Sequence, residues 1–156
     1  MQRDKVLLVV GCQKEKLEQV DKKFRNNIID FINSSVQDYS SIVSIVRKPT
    51  NGDENFKRSG NVMSSDNVYL DYPSDNIIVV PGYDVDCSLF RRDIHYDLIG
   101  ISTSASVLTI AMSMYSCGLD INVLAPYVED RKGRDLEKAA FQIMDAYMPD
   151  VVTGKR

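Results

Sequence analysis

The sequence has few of the residues on which common metal and hydrolase sites depend. It contains one histidine and three cysteines, and Cys12, Cys87 and Cys117 do not have the spacing of metal ligands. A histidine-rich zinc site and a Ser-His-Asp triad are therefore disfavoured, unless His95 serves alone. An odd number of cysteines without a pairing pattern favours a reduced, cytoplasmic setting. We expect no metal ion and no cofactor.

Long apolar runs and an excess of positive charge are also missing. No stretch approaches the roughly 20 apolar residues that a membrane-spanning helix needs. The first residues lead into a strand-like run without the apolar region of a signal peptide. The net charge of −3 provides no overall basic field for nucleic acid. We therefore expect a cytoplasmic protein that binds neither membranes nor nucleic acid.

Apolar runs alternate with helical stripes along the chain, which has the length of one domain. Strands alternating with helices imply a parallel sheet with right-handed crossovers. We therefore predict a single three-layer, Rossmann-like α/β domain over residues 1–156, with a mostly parallel sheet of about six strands flanked by helices. The predicted strands cover residues 5–10, 42–46, 77–80, 97–101, 121–124 and 151–153, and the predicted helices lie within 17–32, 107–117 and 136–147.

Residues 48–75 have no apolar periodicity and are rich in Ser, Asn, Asp and Gly. This is a long connection for a compact domain. It is interpreted either as a mobile surface loop or as a lid or partner-binding loop, because long loops often carry function. The sequence leaves this choice open.

Three predicted strands are followed by distinctive residues. They are residues 11–13 after the first strand, 81–84 after the third and 100–106 after the fourth. In open parallel sheets, ligands bind beyond the carboxyl ends of the strands. We therefore expect a pocket at this edge of the sheet, with Gln13 and Tyr83 among its walls.

The third of these stretches carries four hydroxyl groups where a strand turns into a helix. They belong to Ser102, Thr103, Ser104 and Ser106. Unpaired backbone N–H groups at a helix start can bind an anion or an oxyanion. The alternative is that Thr103 or Ser104 only caps the helix.

Several stretches, taken in order, resemble the isochorismatase and nicotinamidase family of cysteine hydrolases. Residues 6–13 resemble its opening strand V-I-D-x-Q, 100–111 its pattern G-V-x-T-x-x-C-V-x-x-T-A, 117–124 its strand G-Y-x-V-x-V-V, and 129–153 its ending D-A-x-A…A-L…V-V-T. The resemblance implies a six-stranded parallel sheet flanked by helices. It also implies hydrolysis of amides or vinyl ethers by an Asp-Lys-Cys triad, with an oxyanion hole of backbone N–H groups. Members commonly form oligomers, so a homo-oligomer is expected.

The residues at the catalytic positions of this family differ from those the reaction needs. The nucleophile position falls on Ser106 and the Asp position on Gly11, while no lysine occurs between Lys57 and Lys132. The metal-binding histidines of the family would fall within 48–54, where there is no histidine. A serine hydroxyl needs a strong base beside it, and glycine supplies none. The resemblance therefore predicts the family fold with the triad lost.

Three other candidates are not expected to take part in catalysis. Cys12 is assigned to the core because side chains alternate along a strand. The thiolate of Cys87 is disfavoured by two neighbouring aspartates. His95 precedes the fourth predicted strand, at the opposite end of the sheet from the pocket. No chemistry is assigned to the charged loop 130–135.

Three functions remain open from the sequence. The favoured one is a catalytically inactive pseudo-hydrolase that binds a small molecule or acts as an assembly module. The alternative is a hydrolase of C–N or ether bonds with a rearranged site built on Ser106, Cys12 or Cys87. The third is a purely structural subunit. The mixed use of Asn, Ser and Tyr suggests a viral or otherwise divergent source. The predicted ligand-binding residues are Gln13, Tyr83, Ser102, Thr103, Ala105 and Ser106.

Overall fold

The computed structural model describes residues 4–47 and 69–154, and its six strands form one parallel sheet in the order β3-β2-β1-β4-β5-β6. Helices cover both faces, which confirms the predicted three-layer α/β architecture. The strands are β1 Asp4–Val10, β2 Ser41–Arg47, β3 Asn76–Val80, β4 Ile94–Ile101, β5 Asp120–Glu129 and β6 Val152–Thr153. The helices are α1 Lys14–Leu17, α2 Lys22–Ser35, α3 Leu108–Ser116 and α4 Arg134–Tyr147, with shorter turns at Cys87–Leu89 and Thr103–Val107.

Strand β1 lies at the centre of the sheet because both of its faces are apolar. Leu7 and Val9 pack into a core layer with α2, whereas Leu8 and Val10 pack into a second layer with α3 and α4. These four side chains are almost fully buried. No helix within 4–47 and 69–154 is both long enough and apolar enough to cross a membrane.

The single helical stripe predicted over 17–32 is divided into two helices. The side chain of Asp21 caps α2 by accepting a hydrogen bond from the Phe24 N–H at 3.2 Å. Because an N-cap residue lies outside the helix it starts, α1 and α2 are separate elements. The short α1 therefore follows β1 at the carboxyl edge of the sheet, where the pocket was predicted.

Residues 69–75 are held against the sheet by hydrogen bonds. The Lys14 N–H donates to the Tyr69 carbonyl at 2.8 Å, and the Ile42 N–H donates to Asp75 Oδ2 at 2.7 Å. Between these two contacts, the buried Tyr72 hydroxyl lies 3.1 Å from Ser44 Oγ. This end of the predicted long loop is thus fixed by polar bonds to β2 and α1. Residues 48–68 lie outside the described part of the chain.

Strands β4 and β5 are longer than predicted. Strand β4 begins at Ile94, so His95 lies within the strand instead of before it. Strand β5 continues to Glu129, with a register shift against β4 between Leu98 and Gly100. Because β5 runs this far, the loop that follows it reaches the carboxyl edge of the sheet.

Candidate functional site

A cavity of about 510 Å³ opens at the carboxyl ends of β1, β2 and β4. Its walls come from Gly11, Lys16 on α1, Arg47 at the end of β2, the turn after β4, and the loop 130–132. This volume lies within the range of small-molecule sites, roughly 300–1,000 Å³. The position is the one expected for an open parallel sheet.

The backbone N–H groups of the turn after β4 form hydrogen bonds within the chain. The Ser104 N–H donates to Asp130 Oδ2 at 2.8 Å. The N–H groups of Ala105 and Val107 both donate to the Ser102 carbonyl, at 3.1 and 3.2 Å. The Ile101–Ser102 peptide bond is cis. Three amides that the sequence suggested for anion binding therefore already have partners within the chain.

Gly11 occupies a position where only glycine fits. Its φ is +67°, in the left-handed region, and its N–H donates to the Ile45 carbonyl at 2.8 Å. A Cβ built on Gly11 would collide with the carbonyl oxygen of Ile101. The position that the resemblance assigns to the catalytic Asp therefore has no side chain, and this backbone leaves no space for one.

Ser106 is half-buried and lines the cavity. Within 4–47 and 69–154, its hydroxyl forms no hydrogen bond with a base, and no histidine or cysteine of these ranges lines the cavity. Asp130 is the carboxylate in the described wall, and it accepts bonds from the N–H groups of Ser104 and Lys132, both at 2.8 Å. The described wall therefore contains a serine without the hydrogen-bonded base that nucleophilic catalysis requires.

Four of the six predicted ligand-binding residues line the cavity, together with Gly11. Tyr83 is exposed, and the Arg47 guanidinium lies over its ring, 4.5 Å from the ring centre. The others come from the turn after β4. These four residues are Tyr83, Ser102, Ala105 and Ser106.

The remaining two predicted ligand-binding residues lie behind the cavity wall. Gln13 is buried, and its Nε2 donates to the Arg47 carbonyl at 3.4 Å. Gln13 Oε1 is buried without a hydrogen-bond partner among the described residues. Thr103 is fully buried and donates to Glu137 Oε1 at 3.3 Å. Both side chains therefore connect elements around the site and do not form its surface.

Sequence reasoning missed the charged residues of the cavity wall and the neutral Gln19. The charged loop after β5, to which no chemistry was assigned, supplies three of these residues. A usable signal existed, because a loop that follows a parallel strand falls at the ligand-binding edge. The missed residues are Lys16, Gln19, Arg47, Asp130, Arg131 and Lys132.

Two cysteines considered as substitute nucleophiles are in environments that suppress the thiolate. Burial raises the pKa of Cys12 to about 12, and its Sγ donates to the Val10 carbonyl at 3.4 Å. Partial burial, together with a hydrogen bond to Cys117, raises the pKa of Cys87 to about 12. Cys12 is therefore a core residue, as the strand alternation indicated. A thiol in such surroundings is a poor nucleophile near neutral pH.

His95 lies at the amino-terminal edge of the sheet, opposite the cavity. Its Nε2 is 2.8 Å from Asp97 Oδ1 and its Nδ1 is 3.0 Å from Asp120 Oδ2. The Tyr39 hydroxyl donates to the other oxygen of Asp97 at 2.6 Å. No cluster of three or more potential metal ligands occurs within the described ranges. Residues 48–54, where the resemblance places the metal-binding histidines, lie outside the described residues, and the sequence has no histidine there.

Solved structures with the same architecture include nicotinamidases. No family model matches the chain, and no curated protein matches it. The nicotinamidase of Bacillus subtilis is 14% identical with a TM-score of 0.70, covering 97% of this chain and 99% of that one. The pyrazinamidase of Pyrococcus horikoshii, solved in complex with zinc, is 16% identical with a TM-score of 0.72, covering 96% and 97%.

A protein described as MAR1 ribonuclease from Caenorhabditis elegans is also similar. It is 11% identical with a TM-score of 0.68, and the match covers 98% of this chain and 77% of that one. At these identities the similarity establishes the fold alone. The chain shares the parallel-sheet α/β fold of these structures.

Proposed function

We propose that this chain is a non-catalytic protein with a nicotinamidase-like fold, which binds a small molecule in the cavity beyond β1, β2 and β4. The observation that carries the proposal is the absence of a nucleophile-base pair in the described cavity wall. The resemblance assigns the nucleophile position to Ser106, which has no hydrogen-bonded base among the described residues, and the position of the acid to Gly11, which has no space for a side chain. Loss of every triad member leaves binding and little catalysis.

The cavity itself supports a binding role. It is large enough for a compact ligand, and its wall is fixed by bonds between distant parts of the chain. The Arg131 N–H donates to Ser102 Oγ at 3.1 Å, and Arg131 Nη2 donates to Gln19 Oε1 at 2.6 Å. These bonds connect the loop after β5 to the turn after β4 and to the residues after α1. A preformed wall reduces the entropy lost on ligand binding.

The alternative function is a hydrolase that uses Ser106 with a new base. Lys16 lines the same cavity, and its pKa is lowered by burial and by the nearby charges of Arg47 and Arg131. A lysine of lowered pKa can serve as the base for a serine nucleophile. The described residues contain no hydrogen bond between the two side chains, which favours the binding role. Cytoplasmic location and a homo-oligomeric assembly remain part of the proposal.

Ammonia release from nicotinamide and pyrazinamide tests the two functions. We expect the wild-type protein to release no more ammonia than Ser106→Ala, because neither variant has an activated nucleophile. Turnover by the wild type that is lost in Ser106→Ala would support the hydrolase instead. The far-ultraviolet circular dichroism of both proteins should be the same, which checks that the substitution leaves the fold intact.

A further inference from the structure

The cavity wall concentrates positive charge in a chain whose net charge is −3. The cationic side chains of Lys16, Arg47, Arg131 and Lys132 line it, and Asp130 is the single carboxylate among the described lining residues. These cations come from α1, the end of β2 and the loop after β5. The local surplus of three positive charges is therefore produced by the topology, which brings separate parts of the chain to one edge.

Neutral groups hold two of these cations in position. The Arg47 guanidinium lies 4.5 Å from the centre of the Tyr83 ring, and Arg131 Nη2 donates to the amide oxygen of Gln19 at 2.6 Å. Among residues 4–47 and 69–154, neither guanidinium forms an ion pair with a carboxylate. Because Tyr83 and Gln19 are neutral, they orient the guanidinium groups without adding negative charge.

The one carboxylate in the described wall is directed toward backbone amides. Asp130 is buried, with Oδ2 accepting from the Ser104 N–H and Oδ1 accepting from the Lys132 N–H, both at 2.8 Å. The Asp130 carboxylate therefore binds the loop after β5 to the turn after β4. Because the Ser104 amide is paired in this way, the cationic side chains are the groups available to recognise an anion.

The nearby positive charges affect the pKa of Lys16. Burial lowers its pKa, the charges of Arg47 and Arg131 lower it further, and the charge of Glu15 opposes this shift only in part. A cation that is held near other cations in a partly dehydrated site is electrostatically unfavourable without a counter-charge. An anionic group bound among these side chains would relieve that repulsion.

We propose that the cavity takes a small molecule carrying a carboxylate or phosphate group, bound by the side chains of Arg47, Arg131 and Lys132. This inference rests on the proposed binding function of the same cavity. Arginine presents a planar set of donors that matches the oxygens of both groups, and lysine adds a point charge. The ligand is therefore expected to be distinguished by its negative charge and not by an amide group.

Isothermal titration calorimetry with three probes tests this inference. Nicotinate and nicotinamide have the same ring and differ in charge, while inorganic phosphate tests the other anionic group. We expect nicotinate or phosphate to bind, and nicotinamide to bind at least about tenfold more weakly than nicotinate, because a hydrogen bond to a charged group is lost. Added salt should weaken anion binding.

Charge-removal variants identify the site. Lys132→Gln and Arg47→Gln should each weaken binding of the anion about tenfold or more. Lys132 is exposed, so its replacement leaves the core untouched. Arg91→Gln is the matched control, because it removes an exposed cation that precedes β4, at the opposite edge of the sheet. Its affinity should equal that of the wild type.

The inference would be overturned by any of three results. These are no heat of binding from either nicotinate or phosphate, binding of nicotinamide with the same affinity as bound nicotinate, or equal affinity for the bound anion in Lys132→Gln, Arg47→Gln and Arg91→Gln. The proposed non-catalytic function fails separately, through ammonia release that depends on Ser106. An active protein that also binds nicotinate through Arg47 and Lys132 would refute the proposed function and keep the anion site.

Discussion

Gly11→Ala adds one methyl group at the carboxyl end of β1, where the resemblance places a catalytic Asp. Gly11 has a φ of +67°, and a Cβ there would collide with the Ile101 carbonyl oxygen. Gly118, two residues beyond the end of α3, is a matched control. It has a φ of +78°, and a Cβ there would meet only Arg92 Nε, at 3.9 Å. The two variants share the left-handed backbone, and only Gly11→Ala adds the collision.

The structure predicts different losses in the free energy of unfolding for the two variants. A residue with a Cβ in the left-handed conformation costs about 1–2 kcal/mol. Forcing extra atoms into a packed interior adds about 1–3 kcal/mol. Gly118→Ala should therefore lower the free energy of unfolding by about 1–2 kcal/mol, and Gly11→Ala by about 2–5 kcal/mol. A domain of ordinary stability, about 5–15 kcal/mol, remains folded in both cases.

Urea denaturation followed by circular dichroism measures both changes. Equal losses in the two variants would show that the Ile101 carbonyl does not exclude a side chain at Gly11. Gly11→Asp extends the test to chemistry, since it restores the residue that the resemblance expects. We predict an unstable protein without hydrolytic activity. A stable Gly11→Asp variant that hydrolyses nicotinamide would refute the steric argument.

Three further predictions follow from other parts of the structure. Tyr39→Phe removes the hydroxyl that donates to Asp97 Oδ2 at 2.6 Å. In urea denaturation, the free energy of unfolding should therefore fall by about 1–3 kcal/mol. An unchanged urea midpoint would show that this hydrogen bond does not stabilise the fold. A thiol reagent at pH 7, followed by peptide mass spectrometry, should label the exposed Cys117 in the native protein and Cys12 only after unfolding. The reason is that burial raises the pKa of Cys12 to about 12. Labelling of Cys12 in the native protein would contradict its assignment to the core. Burial lowers the pKa of Lys16 below 10.5, so the unfolded chain binds more protons than the folded one between the folded-state pKa and 10.5. Wild-type stability relative to Lys16→Met should therefore rise between pH 7 and pH 10.5, and a constant difference in the urea midpoint would contradict the shift.

The central strands could be predicted from the sequence because their burial leaves a local pattern. Strand β1 has an apolar side chain at Val6 and at each of the next four positions, since both faces of the strand pack against helices. The division between α1 and α2 depended instead on the side chain of Asp21 as an N-cap. The segment 69–75 gave no periodic signal, because hydrogen bonds of Asp75 and Ser74 with β2 hold it in place.

The position of the cavity could also be predicted, whereas its charge could not. Gly11 and the turn 102–106 follow strands directly, so the topology rule placed them at one edge. Lys16, Arg47 and Arg131 lie far apart in the sequence but line the same cavity. The net charge of −3 gives no indication of this local positive charge. Their juxtaposition depends on the length of β5 and on the separate α1, and neither feature had a clear local signal.

The central claim is that Ser106 lies in a binding cavity without being an activated nucleophile. A fluorophosphonate probe tests this most directly, because it labels activated serines whatever their natural substrate. We predict that the intact mass of the wild-type protein stays unchanged after prolonged incubation, as it should for Ser106→Ala. A single adduct that peptide mapping places on Ser106, absent in Ser106→Ala, would contradict the account.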